Sequence, residues 1–339
     1  MKKVIITGPQ QAALVDVPDP TPRANWVVVK VQTAPMCTEY KSYVAGHPVD
    51  QLGHEAAGEV VAVAQPGRVR VGDRVVVMPT NACGQCALCL AGDYIHCESN
   101  LNFAAIHGTR DGSATYAQYL LKPDHLLVPI PDGITYEHAA MACCGLGPTF
   151  GAMQTMNVNT FDTVLITGLG PVGLGGVING VARGARVIGV ESNPYRAALA
   201  RELGATAIID PTDPDALAQL RALTNGRGVD KAIDCSGIVA AHRLCIDAAR
   251  RKGQVAFVGE CSDATPLHIS PDMIRKGLTL LGSWHDRMQD TGTSLALIDR
   301  VREQIDQLIT HRFPLTAVQD AWAVQLTGQS AKVILLPWG

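Results

Sequence analysis

The sequence has no apolar run long enough to cross a membrane. Its longest apolar region, Val164 to Val190, is broken by glycines, Pro171, Asn179, Arg183 and Arg186. A span needs ~18 or more uninterrupted apolar residues. The start, MKKVIITGPQ, offers only Val4 to Ile6 as an apolar stretch, too little for a secretory signal. Blocks of like charge are missing too, and the net charge is −3. A nucleic-acid or anionic-membrane partner normally leaves a basic patch, so neither is expected. Aromatics are scarce, at 5%, which argues against a large aromatic pocket. No internal repeat or low-complexity segment is visible. The expected setting is the cytoplasm, where clustered cysteines bind metal more often than they form disulfides.

The 339 residues are 47% hydrophobic and 17% charged, enough for about two domains with substantial cores. The N-terminal third reads as short strands and turns, with strands at Val27–Val31, Glu59–Val63 and Arg74–Met78. A helical pattern covers Tyr136 to Met156. From Thr163 onward six short apolar runs alternate with helix-length segments or shorter connections. They are Thr163–Thr167, Arg186–Val190, Thr206–Ile209, Val229–Ile233, Gln254–Val258 and Leu278–Leu281. That alternation predicts an α/β fold with a doubly wound parallel sheet. The tail, Asp286 to Gly339, reads as helix, helix, strand. It is too small for a core of its own and is expected to pack back on the first domain. The expected division is therefore 1–145 with 286–339, and 146–285.

Gly168-Leu169-Gly170-Pro171-Val172-Gly173 lies between a predicted strand and a helical stretch. Gly168 allows the tight turn, Gly170 lets backbone approach a pyrophosphate, and Gly173 lets helix and strand pack closely. The helix start, Pro171 and Val172, offers free N–H groups to the phosphates. Glu191 ends the next strand, about 20 residues on, where a carboxylate bonds the ribose hydroxyls of NAD and repels the 2′-phosphate of NADP. Arg196 is taken as a further cofactor contact. The expected cofactor is NAD.

Cys83-x2-Cys86-x2-Cys89-x7-Cys97 places four thiols within fifteen residues. Four thiolates fill a tetrahedral zinc and leave no open position, so this site reads as structural. A bacterial iron–sulfur run has its fourth cysteine three residues on, followed by proline. Here the gap is seven and Glu98 follows. A nucleic-acid zinc ribbon is excluded by charge, since no Lys or Arg occurs from Val75 to Thr109.

Three further fragments are Cys37-Thr38-Glu39, Gly53-His54-Glu55 and Cys143-Cys144. Alone, each has an ordinary reading as a surface histidine or a buried small hydrophobe. Together with the four-cysteine loop and the glycine turn, they resemble the zinc-dependent medium-chain alcohol dehydrogenases along essentially the whole chain. That resemblance implies a GroES-like, mostly-β catalytic domain joined to a Rossmann domain. It implies a catalytic zinc on Cys37, His54 and Cys144, with adjacent Cys143 as the alternative third ligand. It also implies Glu55 as the acid beside that zinc and Glu39 as the carboxylate that orients His54. Two zincs per chain follow, one catalytic and one structural.

The family usually reads Cys-x-Ser/Thr-Asp-x-x-His, whereas here Thr38 follows Cys37 directly. With Thr38 as the hydroxyl, the relay-histidine position falls on Lys41. Thr38 would take the alcohol proton and pass it outward through Lys41, Tyr40 or His47. The nicotinamide is expected in the cleft between the domains. A cysteine third ligand leans away from the sorbitol-like branch, while Glu39, Tyr40 and Lys41 suit a polyol. The implied activity is hydride transfer between an alcohol or polyol and NAD, in a homodimer or homotetramer. Two alternatives stand beside it: a zinc-free quinone or enoyl reductase of the same fold, and a non-catalytic NAD-binding protein.

Overall fold

The computed structural model describes every residue from 1 to 339. The chain divides into two compact units, Met1–Cys144 with Arg287–Gly339, and Gly145–Asp286.

The first unit opens with β1 (Lys2–Gly8) and β2 (Gln11–Asp16), paired antiparallel. β3 (Trp26–Pro35) follows, rich in valines whose branched side chains suit a pleated surface. Successive side chains alternate between faces. Val27, Val29 and Val31 join a core with Val4, Tyr116 and Trp322. Trp26 and Val28 face a smaller cluster with Phe103 and Leu121. The strand is therefore covered on both sides. β4 (Ala56–Ala62), β5 (Arg74–Val77), β6 (Tyr119–Pro123) and β7 (Leu127–Pro129) complete this part of the unit. β4 and β6 both pair antiparallel with β3.

The second unit holds β8 (Thr163–Thr167), β9 (Arg186–Val190), β10 (Ala207–Ile209), β11 (Val229–Asp234), β12 (Ala249–Phe257) and β13 (Thr279–Gly282). Their order across the sheet is β10-β9-β8-β11-β12-β13, and every pairing is parallel. This is the doubly wound arrangement. Val164, Leu165 and Ile166 are each fully buried, as befits a central strand with helices on both faces. The chain leaves β8 in one direction and returns to β11 on its other side. Ligands in such sheets bind at the strand ends beside that reversal.

The tail returns to the first unit with β14 (Ile309–Pro314) and β15 (Lys332–Leu336). Its sequence order is helix, helix, strand, helix, strand, so the expected helix, helix, strand lacked β14 and the helix Val318–Thr327. β14 reads ITHRFP. Its polar centre hides the strand, and it is tolerated because β14 lies at a sheet edge. β15 pairs with the end of β3, opposing Ile334 to Pro35.

The single helix expected over Tyr136 to Met156 is two helices, Tyr136–Ala140 and Gly147–Thr155. Turns fill 141–146. Pro148 sits at the start of the second helix, where proline is well placed because its missing N–H would have no intrahelical partner. Cys144 lies in that break. No helix of the protein is long and apolar enough to cross a membrane.

Candidate active site and metal centres

Three separate segments deliver one cluster. Cys37 emerges two residues after β3, His54 and Glu55 immediately precede β4, and Cys144 sits in the inter-helix turn. Their donor atoms all lie within 4.8 Å of one another. Cys144 Sγ is 3.2 Å from His54 Nε2. Cys143 points elsewhere, its thiol donating to the Val77 carbonyl at 3.4 Å. The geometry thus favours Cys144 over Cys143.

The imidazole of His54 is held from behind. Its Nδ1 is 2.7 Å from Glu39 Oε1. The other oxygen, Oε2, accepts the Cys37 N–H and the Tyr116 hydroxyl, each at 3.0 Å. Sharing the Nδ1 proton with a carboxylate leaves the Nε2 lone pair for a metal. Gly53 makes this approach possible. It has φ +84°, and a Cβ there would stand 2.2 Å from Thr115 Oγ1. Glu39, one of the polar residues that suited a polyol pocket, is fully engaged by these contacts.

Glu55 is locked in a different way. Its Oε1 accepts Lys332 Nζ at 2.6 Å and its Oε2 accepts the Cys144 N–H at 3.2 Å. Both side chains are completely buried. Burial pushes the Glu55 carboxyl up to about 7 against the pull of Lys332. Burial also opposes charge on His54, yet its bonds to Cys37 and Glu39 raise it to about 11. Hydrogen bonding from Cys144 holds the Cys37 thiol well below its ordinary value, and the same bond pushes Cys144 up. Two thiols and two carboxylates around one imidazole call for a cation in a low-dielectric site. A divalent metal meets that demand with His54 neutral. Cys37, His54 and Cys144 could supply three ligands. With both Glu55 oxygens engaged, a fourth position stays open, as in catalytic zinc sites.

The four-cysteine loop forms its own cluster, with all four sulfurs within 4.8 Å of one another. Cys83 and Cys89 sulfurs lie 3.9 Å apart, as do those of Cys86 and Cys97. Tetrahedral zinc with 2.3 Å bonds requires about 3.8 Å, whereas a disulfide requires about 2.05 Å. Backbone N–H groups of Cys86 and Gln85 donate to the Cys83 sulfur at 3.3 and 3.4 Å, which favours its thiolate. The donor set fits a structural zinc.

In the second unit Gly168 takes φ +77°, and a Cβ there would meet the Ser236 backbone at 2.7 Å. At Gly173 a Cβ would lie 2.0 Å from the Gly168 carbonyl oxygen. At Gly170 it would meet nothing within 4 Å, so the space that a pyrophosphate needs is open. The helix Pro171–Ala182 starts there. Glu191 accepts the Leu169 N–H at 2.8 Å and the Asn193 N–H at 2.9 Å. It therefore ties the glycine turn to the next strand's exit. Asn193 caps the following helix by accepting from Tyr195 and Arg196. The Arg196 Nε is buried without a partner.

Thr38 is exposed directly after Cys37, and Tyr40, Lys41 and His47 are exposed nearby in sequence. Two residues of the cluster had no signal in the sequence. Lys332 reads as an ordinary charge in an apolar strand, 277 positions from Glu55. Tyr116 reads as a core aromatic, which it also is, at 1% exposed.

Comparisons with known proteins agree with this arrangement. Residues 23–132 match the alcohol dehydrogenase GroES-like domain, and residues 171–300 match the zinc-binding dehydrogenase domain. The chain is 32% identical to the uncharacterized zinc-type alcohol dehydrogenase-like protein YphC of Escherichia coli, over 99% of this chain and 98% of that protein. It is 30% identical to a sorbitol dehydrogenase of Halalkalibacterium halodurans, over 99% of each. Among solved structures it resembles the alcohol dehydrogenase TADH of Thermus sp. ATN1, with a TM-score of 0.90, 25% identity and 99% of each chain covered. The chain belongs to the zinc-dependent medium-chain alcohol dehydrogenase family, a GroES-like domain joined to a Rossmann domain, and is an oxidoreductase.

Proposed function

We propose that this protein oxidises the CH–OH group of a small alcohol or polyol and passes the hydride to NAD. The observation that carries this reading is the convergence of Cys37, His54 and Cys144 donor atoms within 4.8 Å, from three distant segments. These three residues would hold the catalytic zinc, and Cys83, Cys86, Cys89 and Cys97 a structural one. When bound there, zinc would supply Lewis-acid chemistry that lowers the pKa of an alcohol hydroxyl at its open position. The chain's own residues do the rest. Glu39 and Tyr116 orient His54. Lys332 neutralises Glu55 so that the cluster does not carry an extra buried charge. Thr38 accepts the hydroxyl proton and passes it to the exposed Tyr40, Lys41 or His47. NAD, seated at the Gly168–Gly173 turn, would accept the hydride from the substrate carbon, giving a carbonyl compound and NADH.

NAD is supported over NADP by Glu191, whose carboxylate stands at the end of β9 beside the glycine turn. Gly168, Gly170, Pro171, Val172 and Gly173 would seat the pyrophosphate, and Arg196 would lie at the nucleotide's edge. The reading includes a homodimer or homotetramer. β13 is an edge strand, and Ile269 and Ile274 near it are 60% and 73% exposed. It also includes a cytoplasmic setting, which keeps thiols reduced.

The test is direct. Metal analysis should find two zincs per chain. NADH should appear with one or more members of an alcohol and polyol panel. His54→Ala should abolish that activity and retain one zinc. Full activity in His54→Ala would sink the proposal.

A further inference from the structure

Lys122 is a buried lysine with no carboxylate partner. Its residue is 7% exposed, at the end of β6. Its ammonium donates to the Thr80 carbonyl, and to Asn81 Oδ1 at 3.3 Å. No carboxylate forms an ion pair with it. Both of its partners are neutral acceptors. A desolvated ammonium without a counter-charge is costly, by several kcal/mol in real proteins. Burial pushes the Lys122 pKa down to about 7.

Lys122 also lines a half-open pocket of about 80 Å³, together with Gly53, His54, Thr80, Asn81 and Thr115. That volume is ample by the same measure, since one water needs roughly 10–15 Å³. Two of its lining hydroxyls are orphans. Thr80 Oγ1 and Thr115 Oγ1 are both buried without a hydrogen-bond partner. Thr115 as a whole is 4% exposed. Buried hydroxyls are nearly always satisfied, so each asks for something to bond. Thr80 is also held at φ +62°, a conformation that threonine rarely adopts and that surrounding contacts must enforce. The pocket therefore brings together a buried lysine without a carboxylate partner and two residues with unpartnered hydroxyls.

We propose that this cavity is a binding site for a small monovalent anion of halide size. Lys122 supplies the charge, and the Thr80 and Thr115 hydroxyls donate to the anion. Water alone would satisfy the hydroxyls, whereas an anion would also favour the protonated form of Lys122. The anion would bind where three functional segments meet: the loop that carries His54, the start of the four-cysteine loop two residues after Asn81, and β6. Its occupancy would stabilise that junction beside His54.

The experiment uses the zinc-loaded protein and bromide as the probe. Crystals soaked in bromide should show an anomalous peak bounded by Lys122, Thr80 and Thr115. Melting at constant ionic strength should show a saturable rise in Tm on replacing gluconate by bromide or chloride. Lys122→Met should remove both the peak and the saturable rise. Thr115→Val should weaken the apparent halide affinity several-fold, and it is read in the same way if the lysine variant does not fold. Water in place of bromide at saturating concentration overturns the proposal. So does a halide response undiminished in these variants.

Discussion

Lys332 and Glu55 form an ion pair of 2.6 Å with both side chains completely buried, and they reach each other from opposite ends of the chain. The C-terminal strand β15 thereby places a positive charge directly behind the metal cluster. Removing one partner leaves the other charged and desolvated, which typically costs about 3–5 kcal/mol. Lys332→Met should destabilise the protein on that scale in denaturant melts. The double variant Lys332→Met with Glu55→Gln should recover much of the loss. A double variant as unstable as the single would show that packing, not charge, is at stake.

Tyr116 acts on His54 only through Glu39. Its hydroxyl bond to Glu39 Oε2, at 3.0 Å, can be removed by Tyr116→Phe without disturbing the core shape. Outer-shell partners of metal ligands are worth roughly 10–100-fold in metal affinity. Chelator competition should show a loss within that range at the catalytic zinc and none at the structural one. Equal affinities in variant and parent would rule out the positioning role.

Glu191 holds two backbone amides as well as its place beside the cofactor turn. Hydrogen bonds to a charged group contribute about 1.5–3 kcal/mol. Glu191→Ala should lower kcat/KM for NAD by roughly 10–100-fold, while activity with NADP stays level or rises. A variant that loses activity with both cofactors equally would place Glu191 in structure alone.

Acid stability should depend on Asp272. Its carboxyl is held down to about 2 by hydrogen bonds from Arg243, with the His268 N–H adding to the effect. A carboxyl depressed on folding stabilises the protein above the unfolded pKa of about 3.9. That stability is lost as pH falls from there through about 2. Arg243→Met should cost about 1–2 kcal/mol at neutral pH, and the difference from the parent should shrink as pH falls through that window. A pH-independent difference would exclude the linkage.

The four-cysteine loop should be a separable unit of metal stability. Cys89→Ser should reduce zinc content by one and speed hydrogen exchange across 83–97, because a structural zinc contributes folding energy to the segment that it closes. Retention of two zincs in that variant would reassign the ligands.

Local chemistry made much of this protein legible in its sequence. The four cysteines lie within fifteen residues, so their spacing alone brings the thiols together. Gly168, Gly170 and Gly173 answer steric demands set within one strand–turn–helix unit, and β8 and β9 run over the expected residues because buried parallel strands are unbroken apolar runs. β14 was not legible, since its pairing with β15 overrides a polar centre. The break at 141–146 was encoded in Gly145, Gly147 and Pro148, but a helical pattern on either side concealed it. Tertiary structure alone decided which residues gather around His54. Choosing Cys144 over Cys143 required the direction of each thiol, which a turn sets and sequence spacing does not. Tyr116 and Lys332 entered the site because folding brought them to Glu39 and Glu55 across 77 and 277 positions. A buried carboxylate needs a partner wherever the chain can supply one, and only the closed fold determines which residue that is.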